Sequence, residues 1–384
     1  LAEQQQRRRR GRFREGRAHS CIVSRARTRS ARRGRFTEAC GRGHGVAPRG
    51  ARNRHTGAMR VAVLVEGWPG ESRSLTAEAV AQTVRTAWLS ARPDVTVTAI
   101  PVGDGGPRSA DALQGPRITV GTVVEGAMLL APAGGSTRWN PADLATALLG
   151  LASEASADGG PARRVIVPLG DASPAGDAGD VWGQSLEGAR TALAPLDMVA
   201  LVSSDRPLLG FHGMSAAVRE GRESDAALAV AAQEQEERWR QRAAVADNVA
   251  AAGDLLGGTR RLSDQPRTGA AGGLAYSLAA LGARLEPGAV TLARMAGLPA
   301  AVDEADLAVV VAPTLSHAAL DHGTPSPVAL LAAARGIPAV AISAEIHVGR
   351  RDLMAAGVHG AHEGMPGESG LADAITRVAQ TWSS

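Results

Sequence analysis

The first residues able to do chemistry stand together at Asp104-Gly105-Gly106, inside the run Pro101-Val-Gly-Asp-Gly-Gly-Pro-Arg-Ser109. A carboxylate there could meet a ligand, or the stretch could be a tight turn with no chemistry. The two glycines permit positive φ and let a ligand approach the backbone. The elements that must position them can be read on either side. Residues 95–100 alternate apolar and polar and predict a strand, and a helix is expected to start at Ser109. A strand leading through Asp-Gly-Gly into a helix puts the carboxylate at the carboxyl edge of a sheet, where open α/β sheets bind ligands.

Two further loops carry candidate ligand-binding residues. A buried apolar run at 164–169 leads into Gly170-Asp171-Ala-Ser173 and on to Gly179, through Asp177. That loop is rich in Gly and Asp but lacks the Lys-Ser/Thr ending of a P-loop. Gly269-Ala-Ala-Gly272-Gly273 opens a helix expected over 275–281. Small residues at a helix start favour an anion, although close helix packing accounts for the same glycines. His317 and His322 are spaced i, i+5 with no Cys or third His near them, and are not read as metal ligands.

Composition removes several chemistries. All 42 basic residues are Arg, so a Walker-type lysine, a Schiff-base lysine and a lysine general base are all excluded. Residues 1–58 hold 17 Arg against three acids, a net of +14, and the rest holds 25 Arg against 35 acids, a net of −10. The basic isoelectric point therefore belongs to the first segment. The acidic body would repel phosphate backbones, so nucleic acid is not its expected partner. Both cysteines, Cys21 and Cys40, lie in the first segment, which excludes disulfides and Cys-ligated metal from the body. The compartment expected is the cytoplasm. No apolar run approaches the roughly 18 residues of a membrane span.

Residues 1–58 have almost no apolar periodicity and are expected to be disordered. Three readings compete for them: binding to nucleic acid or anionic surfaces, a targeting peptide, or sequence upstream of the native start. The position of Met59 directly before an apolar strand at 61–65 favours the last. From there the pattern is βαβ. Ser74 is the expected cap of a helix running to Ala91, with Val80, Val84, Ala87 and Trp88 on its core face. Residues 117–124 and 127–131 predict a hairpin-like pair, 141–156 a helix and 197–203 a strand. A long polar helix is expected over 220–252, with the run Gln233 to Arg242 read as a solvated, salt-bridged face. Strands at 305–311 and 339–342, with helices at 327–334 and 371–381, return to βα units. The fold class is α/β. A Rossmann-like three-layer domain is built from both chain ends, 59–113 and 286–384, with a second α/β domain, 114–285, inserted and a cleft between them.

These stretches resemble the type I glycerate kinase family over most of residues 59–381. Pro101-Val-Gly-Asp-Gly-Gly106 is similar to the family's Pro-Val-Ala-Asp-Gly-Gly, and Gly269 to Leu274 to its Gly-Ala-Ala-Gly-Gly. Leu281-Gly-Ala-Arg-Leu-Glu-Pro-Gly288, Ser74-Leu-Thr-Ala77 and Pro207-Leu-Leu-Gly210 follow in the family's order. The resemblance implies a two-domain protein whose cleft takes ATP, Mg2+ and glycerate or a similar small hydroxy acid, with a homodimer as the assembly to test. It implies Asp104 as the catalytic carboxylate and as a magnesium ligand, with Asp177 as a second. Substrate and phosphate would meet Gly105, Gly106, Gly170, Asp171, Ser173, Gly269, Gly272 and Gly273. Arginines would stand in for the missing lysines, with Arg73, Arg108 and Arg206 placed in the right loops.

The departures fall on the chemistry. Pro107-Arg108 stands where the family has Glu-Gly. The family's Asp-Ser-x-Lys loop reads Glu66-Gly-Trp-Pro-Gly-Glu-Ser-Arg73, and its Gly-Lys reads Gly323-Thr324. A catalytically inactive relative that binds a ligand or regulates is the alternative these losses support.

Overall fold

A computed structural model describes residues 58–70, 72–215, 226–251 and 261–382. The Arg-rich segment 1–57 and both cysteines lie outside the described residues, as do the three readings of that segment. All described residues fall in one unit, His55–Ser384.

The chain starts with β1 (Arg60–Val65), α1 (Ala77–Ala91) and β2 (Thr96–Pro101). It continues through β3 (Arg117–Ile118), β4 (Gly121–Val124), β5 (Ala127–Leu130), α2 (Pro141–Asp158), β6 (Arg163–Gly170), α3 (Leu186–Ala192) and β7 (Leu196–Val202). Then come α4 (Ala226–Ala251), α5 (Leu274–Ala280), β8 (Arg284–Pro287), α6 (Gly288–Met295), α7 (Leu298–Glu304) and β9 (Leu307–Leu315). The last elements are α8 (His317–His322), α9 (Pro325–Arg335), β10 (Ala339–Ile346), α10 (Arg350–Ala355), β11 (Gly360–Glu363) and α11 (Glu368–Trp382).

Two sheets result. The first is parallel throughout, in the order β11-β10-β9-β1-β2, and takes strands from both ends of the described chain. The second runs β3-β4-β5-β6-β7-β8, antiparallel over β3–β5 and parallel from β5 to β8. Strand β1 is buried on both faces, as its unbroken apolar run requires. Val61, Val63 and Val65 pack with α1 and α11. Ala62 and Leu64 face a cluster that also holds Leu292 of α6, Val302 of α7, Val328 of α9 and Ile166, Val199 and Leu201 of the second sheet. The far face of the second sheet packs on α2, α4 and α5. One apolar layer thus joins the two sheets and fixes their strand ends relative to one another.

Local expectations differ from the structure at four places, each for a physical reason. The helix begins after Thr76, whose hydroxyl accepts the Ala79 N–H at 3.3 Å. Ser74 cannot cap it, because Leu75 is still extended and exchanges backbone hydrogen bonds with Trp68. The helix expected from Ser109 is a single 3-10 turn, Ser109–Asp111. The helix predicted at 327 already starts at Pro325, since proline in a first turn lacks only an N–H that needs no helical partner. The run from Gln233 to Arg242 is not all solvated. Trp239 is buried, and Arg242 binds Asp177 with Nη2 at 2.7 Å from Oδ2. Residues 220–225 and 252 of the expected long helix lie outside the described residues.

Helix α4 is fastened by Asp247. Its Oδ1 accepts the Tyr276 hydroxyl at 2.7 Å and its Oδ2 the Ser263 hydroxyl at 2.7 Å. Burial first, and Asp247 second, push the Tyr276 phenol well above its ordinary range, so it remains a donor. Tyr276→Phe is expected to cost about 1–3 kcal/mol in urea unfolding, because a hydrogen bond to a charged acceptor is lost from a buried place.

Candidate active site

The carboxyl ends of the strands meet around the Asp104 loop. Parallel register pairs Val65 of β1 with Pro101 of β2. The residues that follow, Glu66 and the stretch Val102 to Gly106, therefore leave the first sheet side by side. The loop is then clamped to the second sheet. Gly105 O accepts the Gly170 N–H at 2.8 Å at the end of β6, and Ser203 Oγ, just past β7, donates to Asp104 O at 2.9 Å. Gly170 N–H and C=O are both used, since Ser203 N–H donates to Gly170 O at 3.2 Å.

Asp104 performs the turn-capping role and keeps its exposure. Its Oδ1 accepts the Gly106 N–H at 2.8 Å, while the side chain stays open to solvent. Glu66 is half-buried beside it and accepts the Thr324 hydroxyl on Oε1 at 2.5 Å. Burial, and then the negative charge of Asp104, raise the Glu66 carboxyl to about 7 from its ordinary 4.5, against the hydrogen bonds from Thr324. The site thus holds two neighbouring carboxyl groups in different surroundings, one exposed and one poised near neutrality. Such a pair can divide acid–base and cation-binding work.

The loops of the second sheet add a charged layer. Arg206 Nη2 lies 2.7 and 2.8 Å from the two oxygens of Asp171, the residue after Gly170. Arg206 Nε is buried without a partner. The Gly269 N–H donates to Arg206 O at 2.9 Å, and the Ala271 N–H reaches Asp171 Oδ1 at 3.3 Å. The glycines answer to close packing. A Cβ on Gly269 would stand 2.3 Å from Pro207 O, on Gly272 3.1 Å from Pro174 and 3.3 Å from Ser173 Oγ, and on Gly273 2.4 Å from the Trp239 ring. The expected anion-receiving helix start is corrected in two respects. Helix α5 is only seven residues long, and the amide of Ala271 already faces the chain's own Asp171.

Asp104, Gly105, Gly106, Gly170, Asp171 and Arg206 are thus drawn together, with Gly269, Gly272 and Ser173 behind them. Three candidates are placed elsewhere. Arg73 is exposed in a groove with Gln82 and Glu368, on the α1–α11 side. Arg108 turns back to Asp111, three residues on. Asp177 caps its own turn at Gly179 N–H and pairs with Arg242, which holds its carboxyl below the usual range. The two histidines diverge: His317 faces Asp352 at 3.6 Å and His322 faces Asp205 at 3.9 Å. Asp205 also meets Arg267 Nε at 3.0 Å.

Sequence reasoning passed over Glu66 and Thr324 as functional residues. A usable signal existed for Glu66: it is the first polar residue after a buried strand, in the same position relative to β1 as the Asp104 loop is to β2.

An α/β protein with paired carboxyl groups at the converging strand ends of two sheets is of the ligand-cleft class. The glycerate kinase family model matches residues 175–383, and the chain belongs to that family. The matched span begins after the Asp104 loop. A crystal structure from Salmonella typhimurium LT2 that carries a glycerate kinase name is similar in fold, with a TM-score of 0.53 and 17% identity, covering 85% of this chain and 97% of that one. An uncharacterised protein of Mycobacterium bovis is 27% identical over 331 residues, 78% of this chain and 83% of the relative. One from Mycobacterium tuberculosis matches to the same extent. Family and fold together support a kinase-like function.

Proposed function

We propose that the chain transfers the γ-phosphoryl group of ATP to a hydroxyl of glycerate or a similar small hydroxy acid, in the cleft where the two sheets' strand ends meet. In this reading residues 59–113 with 286–384 form one domain and 114–285 the other. The observation that carries it is the pairing of β1 with β2, which brings Glu66 and the Asp104 loop to one edge, with that loop seated against β6 and β7.

The residues present fit a magnesium nucleotide. Mg2+ takes one or two carboxylates and completes its shell with water and phosphate oxygens. Asp104, an exposed carboxylate, suits that role. Among the described residues no group of three or more His, Cys, Asp or Glu is arranged to cage a metal, and a magnesium–phosphate site does not need one. Arg206, paired through Nη2 with Asp171, would bring a positive charge to phosphate oxygens beside the Asp104 loop. The bound nucleotide would supply the phosphoryl group and its metal the charge neutralisation. The chain's own share is positioning and proton transfer. Glu66 accepts the proton of the acceptor hydroxyl as its oxygen bonds to phosphorus and the bridging O–P bond of the nucleotide breaks.

The test is ADP release coupled to a reporter, with D- and L-glycerate. Turnover is expected, and Asp104→Ala should lower it at least about 100-fold. An absence of both ATP binding and turnover in the unaltered chain would refute the reading. A second reading, an inactive ligand-binding or regulatory relative, draws support from one observation. Arg206 and Arg108, two of the arginines available to replace lysine, are paired with the chain's own carboxylates.

A further inference from the structure

Thr324 sits just before the first turn of α9 and is fully buried. A threonine in that position ordinarily turns its hydroxyl onto the amides of the turn that follows. This one makes no such capping bond. The turn has no use for it: Pro325 and Pro327 bring no N–H, and the Ser326 amide is satisfied by Gly323 O at 3.2 Å. The hydroxyl instead crosses 258 positions of sequence to donate to Glu66 Oε1 at 2.5 Å. The Glu66 main chain is held in turn, its N–H donating to Val311 O at 2.9 Å.

We propose that Thr324 is the positioning residue of the site, its hydroxyl fixing the Glu66 carboxyl group beside Asp104 at the edge of the first sheet. The consequence for turnover rests on the phosphoryl-transfer reading above; the geometry does not. Among the described residues the Thr324 hydroxyl makes the side-chain hydrogen bond that the Glu66 carboxyl group receives. The end of β9, Ala312-Pro313-Thr314, and the loop Gly67-Trp68-Pro69-Gly70 carry no ionisable side chain. Asp104 repels the Glu66 carboxylate, and His322 faces Asp205. A neutral hydroxyl orients the Glu66 carboxyl group without adding the positive charge that a cation would bring against it.

The test compares Thr324→Val, which keeps the shape but loses the hydroxyl, with Thr324→Ser, which restores the hydroxyl. Two readouts are taken: ligand-free crystal structures and steady-state kinetics. In Thr324→Val the Glu66 side chain is expected to leave its place beside Asp104. Its kcat should fall about tenfold while KM for ATP stays within about twofold. Thr324→Ser should return both side-chain position and kcat. A Thr324→Val crystal with Glu66 unmoved overturns the proposal, as does a serine variant that folds but does not recover. If Glu66 swings away while the unaltered chain transfers no phosphate, the positioning role stands and the phosphoryl-transfer reading is the one that fails. Should Thr324→Val not fold, Thr324→Ala carries the same measurements.

Discussion

Glu66→Gln is expected to lower kcat/KM for phosphoryl transfer by about 10²–10⁴-fold, the range for removal of a general base. The amide keeps the shape of the side chain and can still accept the Thr324 hydroxyl, so binding should be largely preserved. With the carboxyl group near 7, the unaltered chain should gain activity as pH rises through about 7 and level off above it, because only the ionised form can take a proton. In Glu66→Gln that acidic limb should vanish from what activity remains.

The same substitution has an opposite effect on stability, and the sign follows from linkage. The folded-state value of Glu66 lies above its ordinary 4.5, at about 7. Its contribution to stability is therefore fully present below about pH 4.5 and is lost as pH rises through 7. Above that, folding must hold a carboxylate half-buried beside Asp104. Glu66→Gln is released from this penalty and should be the more stable protein at pH 8, by on the order of 2 kcal/mol in urea unfolding, with a much smaller difference at pH 5. A residue that destabilises the fold at working pH and is needed for turnover is what a functional role implies, and a purely structural carboxylate would show the reverse.

How far the sequence leads depends on whether the deciding partner is near in the chain. Strands β1, β6 and β9 are legible because buried parallel strands are unbroken apolar runs. Asp104 is legible because its setting is local: a carboxylate directly after a strand, followed by two glycines, falls at a sheet's ligand-binding edge whatever the rest of the chain does. The fate of Arg108 was open to reading too, since Asp111 stands three residues on and captures it. Arg206 was not, for Asp171 lies 35 positions away and is brought to it only by the pairing of β6 with β7. Asp177 is the same case, claimed by an arginine 65 positions on. Thr324 is the extreme one: nothing near it in the chain points to Glu66, and only the adjacency of β1 and β9 hands its hydroxyl to that residue. Chemistry carried by single loops can thus be read early. Chemistry made by two loops meeting at a sheet edge waits for the topology.

The seam on which that meeting depends predicts the largest structural effect. Gly105→Ala is expected to cost about 2–5 kcal/mol and to abolish ligand binding. Two effects add. Gly105 has φ +94, where a side chain is strained by about 1–2 kcal/mol. Its new Cβ would lie 2.9 Å from Gly288 Cα and 3.1 Å from Ser203 Oγ, and overpacking of that kind costs about 1–3 kcal/mol more. The crowding is mutual. A Cβ on Gly288 would stand 2.8 Å from Gly105 Cα, and one on Gly170 2.8 Å from Gly106 Cα. Backbone from the loop after β2, from β6 and from the start of α6 therefore touches with no room for a methyl group. Gly282→Ala separates the two effects: its φ is +103, yet nothing lies within 4 Å of the added Cβ. It should lose only the strain, about 1–2 kcal/mol, and bind as before. If both variants unfold alike in urea and both still bind nucleotide, the Asp104 loop does not owe its place to this contact. If Gly105→Ala alone loses binding, the close packing of Gly105 against Gly288 is what holds the Asp104 loop in place.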